Sequence, residues 1–479
     1  MRLATEAFVT NAERALQDAT LQQALTRLVN NFVPRRLEAM AALGNAEELR
    51  TRAREIKAEA IAHLDVYLEQ FAARLQQLGG QVHWADDAAE ARQIIASLAA
   101  QYGVKRVVKG KSMATEEIDL NAFLEQQGYE VLETDLGEYI IQLAGETPSH
   151  IIAPAIHKTR QQIAALFHDK LGVPYTEHIP EMTQIARRTL RQHFLQADMG
   201  ITGVNFAIAE TGSIVLVTNE GNGRLSSTLP RLHVAVMGME KIIPRLADLP
   251  VMLKVLTNSA TGQKISSYVT LITGPRRATD LDGPEALHVV ILDNGRTRLL
   301  HEETREALYC LRCGACLNVC PIYQNVGGHA YGWVYPGPIG AVLTPMLVGL
   351  DRAAHLPRAS TLCGACREAC PVKIDLPRLL LHLRHDLVQT RRVSPVERLL
   401  FALWAWLMQH PTLYGWALRA AAWLQTPFAR QGWLRRLPPP FAGWTQFRDF
   451  RAVATRPFRQ RWQETLRHEG ASGGETRHG

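Results

Sequence analysis

Apolar residues recur at helical spacing through roughly the first 75 positions, where Ala, Leu, Glu, Arg and Gln dominate and glycine is nearly absent. Ile61, Leu64, Tyr67, Leu68, Phe71 and Leu75 form one stripe, and such a stripe ordinarily packs on a neighbouring domain. From Gly79 the period changes. Gln81–Trp84 reads as a strand, Asp87–Tyr102 as an amphipathic helix, Val104–Val108 as a buried strand, Met113–Gln127 as a helix and Tyr129–Glu133 as a strand, with Ile151–Ala153 a further strand after a loop. Asn205–Ala209 and Ile214–Thr218 flank Glu210-Thr211-Gly212-Ser213 and predict a hairpin. Val234–Met237, Val269–Thr273 and Leu287–Leu292 close the domain before the turn Asp293-Asn294-Gly295. The alternation of strand and helix predicts an α/β domain with a mostly parallel sheet. Residues 300–390 read as short helical stretches. The tail beyond them is interrupted by Pro438-Pro439-Pro440, and residues 470–479 carry no packing pattern and are expected to be disordered.

The length of 479 residues allows two to four domains, divided here as 1–69, 70–299, 300–390 and 391–479. The net charge of +7 is unevenly placed. From Arg391 onward there are 14 arginines, no lysine and five acids, a net of +9, so residues 1–390 carry −2. The same tail holds Trp404, Trp406, Trp416, Trp423, Trp433, Trp444 and Trp462. Basic residues among aromatics can bind nucleic acid, but no nucleic-acid fold motif accompanies them. A protein partner or a shallow membrane contact is expected instead. The longest apolar run, Leu399–Met408, is ten residues, short of the ~18 that mark a membrane span. MRLATEAFVTNAERAL lacks a basic region followed by an apolar run, so no secretory signal is expected and the reading is cytoplasmic.

All seven cysteines lie between Cys310 and Cys370. An odd number in one cluster argues against a disulfide framework and for metal in a reducing compartment. Cys310-x2-Cys313-x2-Cys316-x3-Cys320-Pro321 is the cluster-binding run of bacterial ferredoxins. Three cysteines two residues apart let one loop wrap three corners of a cubane, with Gly314 permitting close backbone approach and Pro321 redirecting the chain. The fourth cysteine is too far round to close the same cubane and points to a second one. Cys363-x2-Cys366-x3-Cys370-Pro371 repeats the pattern with Ser360 in the place of Cys310. Crossed ligation predicts one [4Fe–4S] cluster on Cys310, Cys313, Cys316 and Cys370. The other, on Cys320, Cys363 and Cys366, is [3Fe–4S], or [4Fe–4S] with Ser360, water or a partner group on the fourth iron. Zinc knuckles share the C-x2-C pair, but two near-repeats closing on Cys-Pro fit iron–sulfur better.

Other motifs are weaker. Gly110-Lys111-Ser112 looks like the end of a phosphate-binding loop, but Lys105 stands where that loop needs glycine. It reads as a helix cap at Ser112 with Lys111 solvated, or as an anion seat. Glu210 and the segment Asn219-Glu220-Gly221-Asn222-Gly223-Arg224 read as a ligand cradle or as a plain turn and surface loop. No dinucleotide glycine fingerprint occurs. His329, between the cysteine runs, reads as a hydrogen-bonded structural histidine rather than an iron ligand.

In its order of parts the chain resembles the lactate-utilisation protein B family, the iron–sulfur subunits of a three-protein bacterial system oxidising L-lactate to pyruvate. Ala209-Glu210-Thr211-Gly212-Ser213, with residues 70–292, is similar to the LUD domain, which implies a fold like sugar-phosphate isomerases and CoA transferases. Residues 300–390 resemble an α-helical ferredoxin domain, and the tail resembles the family's C-terminal domain. The seven cysteines match the family's cluster ligands. The resemblance implies two partners, a cysteine-rich-domain redox protein and a smaller LUD-domain protein. It implies an electron-transfer subunit, with no catalytic residue assigned. The rival reading makes the LUD domain itself a dehydrogenase, binding substrate or nucleotide near Glu210 and Lys111 and feeding its own clusters.

Overall fold

The computed structural model describes residues 3–301, 303–390, 394–439, 441–445 and 448–472. The chain forms two compact units, 1–389 and 390–479.

The first unit opens with helices Phe8–Gln17, Ala19–Ala41, Ala46–Ala62 and Leu64–Gln77. The predicted stripe is divided by the break at His63 but stays on one side: Ile61, Leu64, Leu68, Phe71 and Leu75 are buried and Tyr67 packs at their edge. The strands that follow are β1 (Gln81–Ala85), β2 (Arg106–Lys109), β3 (Glu130–Glu133), β4 (Met199–Gly203), β5 (Phe206–Ile208), β6 (Ser213–Thr218), β7 (Leu232–Gly238), β8 (Ile242–Ile243), β9 (Tyr268–Ile272) and β10 (Ala286–Leu292). Six form a parallel sheet in the order β1-β10-β7-β4-β2-β3. The other four form a smaller mixed sheet, β8-β5-β6-β9, in which β5 and β6 are the predicted antiparallel hairpin.

The parallel sheet is covered on both faces, as parallel sheets must be. Leu287, Val289 and Ile291 of β10 face one core while Val290 and Leu292 face the other, the period-two consequence of the pleat. Helix Ala88–Gln101, capped by Asp87, covers the second face. The first face shares its core with the N-terminal helices and the cysteine segment, through Leu308, Leu317, Tyr331, Leu343 and Leu379. The cysteine segment is therefore built into the same hydrophobic core as the sheet.

Three expectations need correction. Ile151–Ala153 is not a strand, because the His150 imidazole takes the Ile152 and Ala153 N–H groups at 3.0 and 3.1 Å. The helix expected over 113–127 is two, Met113–Glu117 and Leu120–Gln126, broken where Asp119 takes a φ of 53°. The strand β4 lies at the centre of the sheet and is absent from the sequence-based reading.

The second unit holds helices Pro395–Met408 and Pro411–Leu424, a short antiparallel pair Trp433–Leu434 with Phe450–Arg451, and helix Phe458–Ser472. Of the terminal stretch expected to be disordered, 470–472 belong to that last helix, while 473–479, like Pro440, lie outside the described residues.

Candidate iron–sulfur site and adjoining cavity

The two cysteine runs use one backbone. Arg312 and Gly314 take φ values of 60° and 73°, and Leu362 and Gly364 take 56° and 87°. Each left-handed pair folds the chain tightly around the cysteine between its members. The Cys310 thiol accepts the Arg312 N–H at 3.4 Å, and the Ser360 hydroxyl accepts the Leu362 N–H at 3.1 Å. Ser360 thus stands in its loop as Cys310 stands in the first. Backbone N–H groups also reach five of the other sulfurs: Ala315 to Cys313, Ile322 and Tyr323 to Cys320, Ala365 to Cys363, Arg367 to Cys366, and Val372 and Ile374 to Cys370. Such donors stabilise negative charge on sulfur.

No cysteine is in a disulfide. Cys313, Cys320, Cys366 and Cys370 are buried, Cys310 and Cys316 half-buried, and Cys363 exposed. Burial pushes the Cys313 and Cys366 thiols up to about 12 and Cys370 up to about 11. Cys363 alone moves down, held by the Ala365 N–H and the Thr361 hydroxyl. Among the described residues no three His, Cys, Asp or Glu side chains close on a single ion; electrostatic contact instead links thiols across the runs. Cys370 acts on Cys313, and Cys310 acts on Cys313, Cys316 and Cys370. Cys363 acts on Cys320, and Cys320 and Cys363 act on Cys366. Cys366 also acts on Cys316, where the two sets meet. Seven soft thiol donors, six of them met by N–H groups, suit iron–sulfur clusters.

A buried ionic network adjoins Cys310. Arg296 grips Glu117 with both terminal nitrogens at 2.8 and 2.9 Å and donates from Nε to Glu240 at 2.6 Å. Arg312 reaches Glu240 at 3.2 Å and lies over the Tyr335 ring at 4.5 Å. Tyr335 donates to Glu117 at 2.6 Å. Lys57 donates to the Glu240 and Ile242 carbonyls. Burial works to raise Glu240, but Arg296 and Arg312 outweigh it and bring it to about 2. Burial lowers Lys57 to about 7 and Lys241 to about 8, with Glu240 and Cys310 opposing. Two arginines, with two lysines that burial makes readier to lose their protons, thus face two carboxylates. A positive surplus at this position complements anionic thiolate-bound clusters.

The network forms one wall of a cavity of about 550 Å³. Gly110, Gly203 and Gly238, just past or at the ends of β2, β4 and β7, form its floor. The order of the sheet reverses between β2 and β4, and ligands in open α/β sheets sit at the carboxyl ends of strands at such a point. Leu311 and Cys313, on either side of Arg312, also line the cavity, so it touches the first cysteine loop.

Ser112 caps its short helix, accepting the Thr115 N–H at 3.3 Å. Lys111 is not solvated as expected; it lines the cavity, donating to the Ile152 carbonyl at 2.8 Å beside Asp135 at 3.5 Å. Glu220 and Asn222 line the cavity, whereas Glu210 is exposed, accepts the Leu246 N–H at 2.8 Å and takes no part in the lining. The structure therefore separates Glu210 from Lys111. His329 is hydrogen-bonded to the Thr147 carbonyl at 2.7 Å. Lys57, Glu117, Glu240, Lys241 and Arg296 escaped sequence reasoning because they come together only through the fold. Arg312, between two cysteines, offered the one local signal.

Comparison with known proteins assigns each part. A family model of the LUD domain matches residues 68–292, a 4Fe-4S dicluster domain matches 306–374, and a model described as lactate utilisation protein B, C-terminal, matches 385–467. The dicluster match indicates iron–sulfur clusters in the cysteine segment. "Lactate utilization protein B" of Shouchella clausii is 46% identical over 472 residues, 98% of this chain and 99% of that protein. The Bacillus subtilis protein of that name is 46% identical over 461 residues, 96% of each chain. A crystal structure of a DUF162 family protein from Deinococcus radiodurans, 17% identical, covers 48% of this chain and 98% of its own at a TM-score of 0.27, a likeness too weak to bear on the fold. With three domain models in register and near-half identity along almost its full length, the chain belongs to the lactate utilization protein B family.

Proposed function

We propose that this protein is the iron–sulfur electron-transfer subunit of a cytoplasmic system that oxidises L-lactate to pyruvate. In this reading Cys310, Cys313, Cys316 and Cys370 hold one [4Fe–4S] cluster. Cys320, Cys363 and Cys366 hold the other, [4Fe–4S] or [3Fe–4S], with the Ser360 hydroxyl beside its remaining corner. Oxidising lactate to pyruvate releases two electrons and two protons, and each bound cluster supplies a one-electron carrier. The chain's own part is to hold the thiolates, to shield the inner set from water within the core, and to compensate its charge with Lys57, Lys241, Arg296 and Arg312. The observation that carries the reading is one cysteine-loop geometry used twice, with Cys310 and Ser360 each accepting the N–H two residues on, in a chain of this family. The proposed partners are a cysteine-rich-domain redox protein and a smaller LUD-domain protein, and the proposed fold of the LUD portion is sugar-isomerase- or CoA-transferase-like.

A second reading is favoured by the cavity. A space of about 550 Å³ is in the range that takes cofactor-sized ligands, and it carries Lys111, Lys241 and Arg312 beside the inner cysteine loop. In that reading the LUD portion itself binds an organic anion and feeds its own clusters. One experiment separates the two. The purified chain with clusters intact is given L-lactate and an acceptor dye, alone and then with both partner proteins. Silence alone and dye reduction on adding the partners is the expected result. Dye reduction by the chain alone favours the second reading.

A further inference from the structure

Between Leu399 and Leu424 the single Asp, Glu, Lys or Arg is Arg419. This segment falls in the two helices Pro395–Met408 and Pro411–Leu424, joined at Gln409-His410. The first helix hides no apolar stripe, and the second covers only the narrow face of Tyr414, Leu418, Ala421 and Ala422. No residue of the first is buried, and Ala422 is the one buried residue of the second. Leu399, Leu400, Phe401, Leu403, Trp404 and Trp406 are each 53–62% exposed. Consecutive positions on a helix point about 100° apart, so these side chains surround the axis. A helix that is apolar all round belongs in a protein interior or in lipid.

Length and charge decide between these. Fourteen residues rise about 21 Å, against a hydrocarbon core of about 30 Å, and no described helix is long and apolar enough to cross a membrane. Too short to span, they can be held only at the bilayer surface, sunk to the acyl boundary and anchored by the tryptophans and the basic residues beside them. Past them the chain turns to arginine: Arg430, Arg435, Arg436, Arg448, Arg451 and Arg456, with Asp449 the one acid in that stretch. All seven tail tryptophans are exposed, from 44% at Trp433 to 75% at Trp423. Tryptophan concentrates where headgroups meet hydrocarbon, and arginines in excess of acids are drawn to anionic headgroups; of these arginines, Arg456 lies 3.9 Å from Glu464. A protein partner would most simply cover one face of each helix. Exposure of the first helix around its axis, next to a run of arginines, fits a medium that surrounds the helix and bears negative charge.

We infer that the two helices lie in the surface of an anionic membrane, with their Trp, Phe and Leu side chains below the headgroups and the following arginines on the lipid phosphates. The inference is independent of the reaction the clusters serve.

The test uses the full chain with its clusters bound, mixed with vesicles of phosphatidylglycerol and phosphatidylethanolamine or of phosphatidylcholine alone. Sedimentation with the anionic vesicles, weaker binding to the neutral ones and release by high salt are expected, since salt screens headgroup attraction. Leu400→Glu with Trp404→Glu should cut the bound fraction about tenfold. The unaltered chain gives a second measure: brominated lipid should quench its tryptophan emission. A chain left in the supernatant by anionic vesicles, or a double variant that binds as well as the parent, overturns the inference. So does loss of vesicle binding when the two partner proteins are added, because the helices would then be covering protein.

Discussion

In the first cysteine run Arg312 and Gly314 take φ values of 60° and 73°, and in the second Leu362 and Gly364 take 56° and 87°. Cys310 and Ser360 accept the same N–H, two residues on. Around this shared loop the settings diverge. The first run has Lys57, Lys241 and Arg312 near Cys310, Arg296 beyond them on Glu240, and a cavity against Cys313. The second exposes Cys363, and Arg384 ties its approach by donating to the Pro357 and Ser360 carbonyls at 2.8 and 2.9 Å. One loop geometry thus sits in two electrostatic environments, one insulated and cationic, the other open to water. Under the proposed role the inner set lies beside the cavity and the outer set nearer the surface.

The comparison breaks most severely at Arg296. Its guanidinium joins Glu117 and Glu240, both buried. Arg296→Met leaves Glu117 without a cation and Glu240 with Arg312 alone, which should cost about 3–5 kcal/mol in denaturant unfolding. The cluster of the first run should be lost before that of the second. Equal loss from both would mean the network does not distinguish them.

Ser360→Cys should sharpen the likeness of the loops. A thiolate holds iron better than a hydroxyl, so iron and sulfide analysis should show firmer retention of a fourth iron in the outer cluster. No change in iron content or spectrum would mean that Ser360 does not face it.

The electrostatic difference can be read as a potential. Lys57→Met removes a cation that interacts with Cys310. Reduction adds negative charge, so the inner cluster's potential should fall, on the order of tens of millivolts. A potentiometric titration followed by EPR should find the outer cluster unmoved.

The smallest effect concerns His150, which packs against Gly314 and has no counterpart at Gly364. Burial lowers it to about 4, and its Nδ1 accepts two N–H groups, so the folded protein keeps it neutral. The unfolded chain takes up the proton below about pH 6.5. The stability His150 contributes is therefore full above that pH and is lost as pH falls toward 4. Compared with His150→Gln, the parent should lose about 1 kcal/mol more between pH 7.5 and 6, measured by denaturant titration at each pH.

What the chain disclosed by itself follows from range. The cysteine spacing is local chemistry, and the apolar runs of β2, β3, β7 and β10 are local pattern, so both were legible. β4 was not, because Met-Gly-Ile-Thr-Gly lacks the β-branched density of a buried strand. Its glycines are needed for packing: a Cβ on Gly200 would run into the Ser226 carbonyl and one on Gly203 into Ser112. Ile151–Ala153 misled for the opposite reason, since its apolar character is local while the His150 ring that claims its N–H groups is a tertiary device. The ionic network draws on positions from Lys57 to Tyr335, and no periodicity links residues so far apart.

The central claim is that ligands cross between the runs. Cys370→Ala, Cys310→Ala and Cys363→Ala, each purified without oxygen, reduced and examined by EPR, test it most directly. Cys370→Ala should lose the signal lost by Cys310→Ala and keep the one lost by Cys363→Ala. If Cys370→Ala and Cys363→Ala instead share one defect and leave the other cluster intact, each run holds its own cluster and the crossed account is wrong.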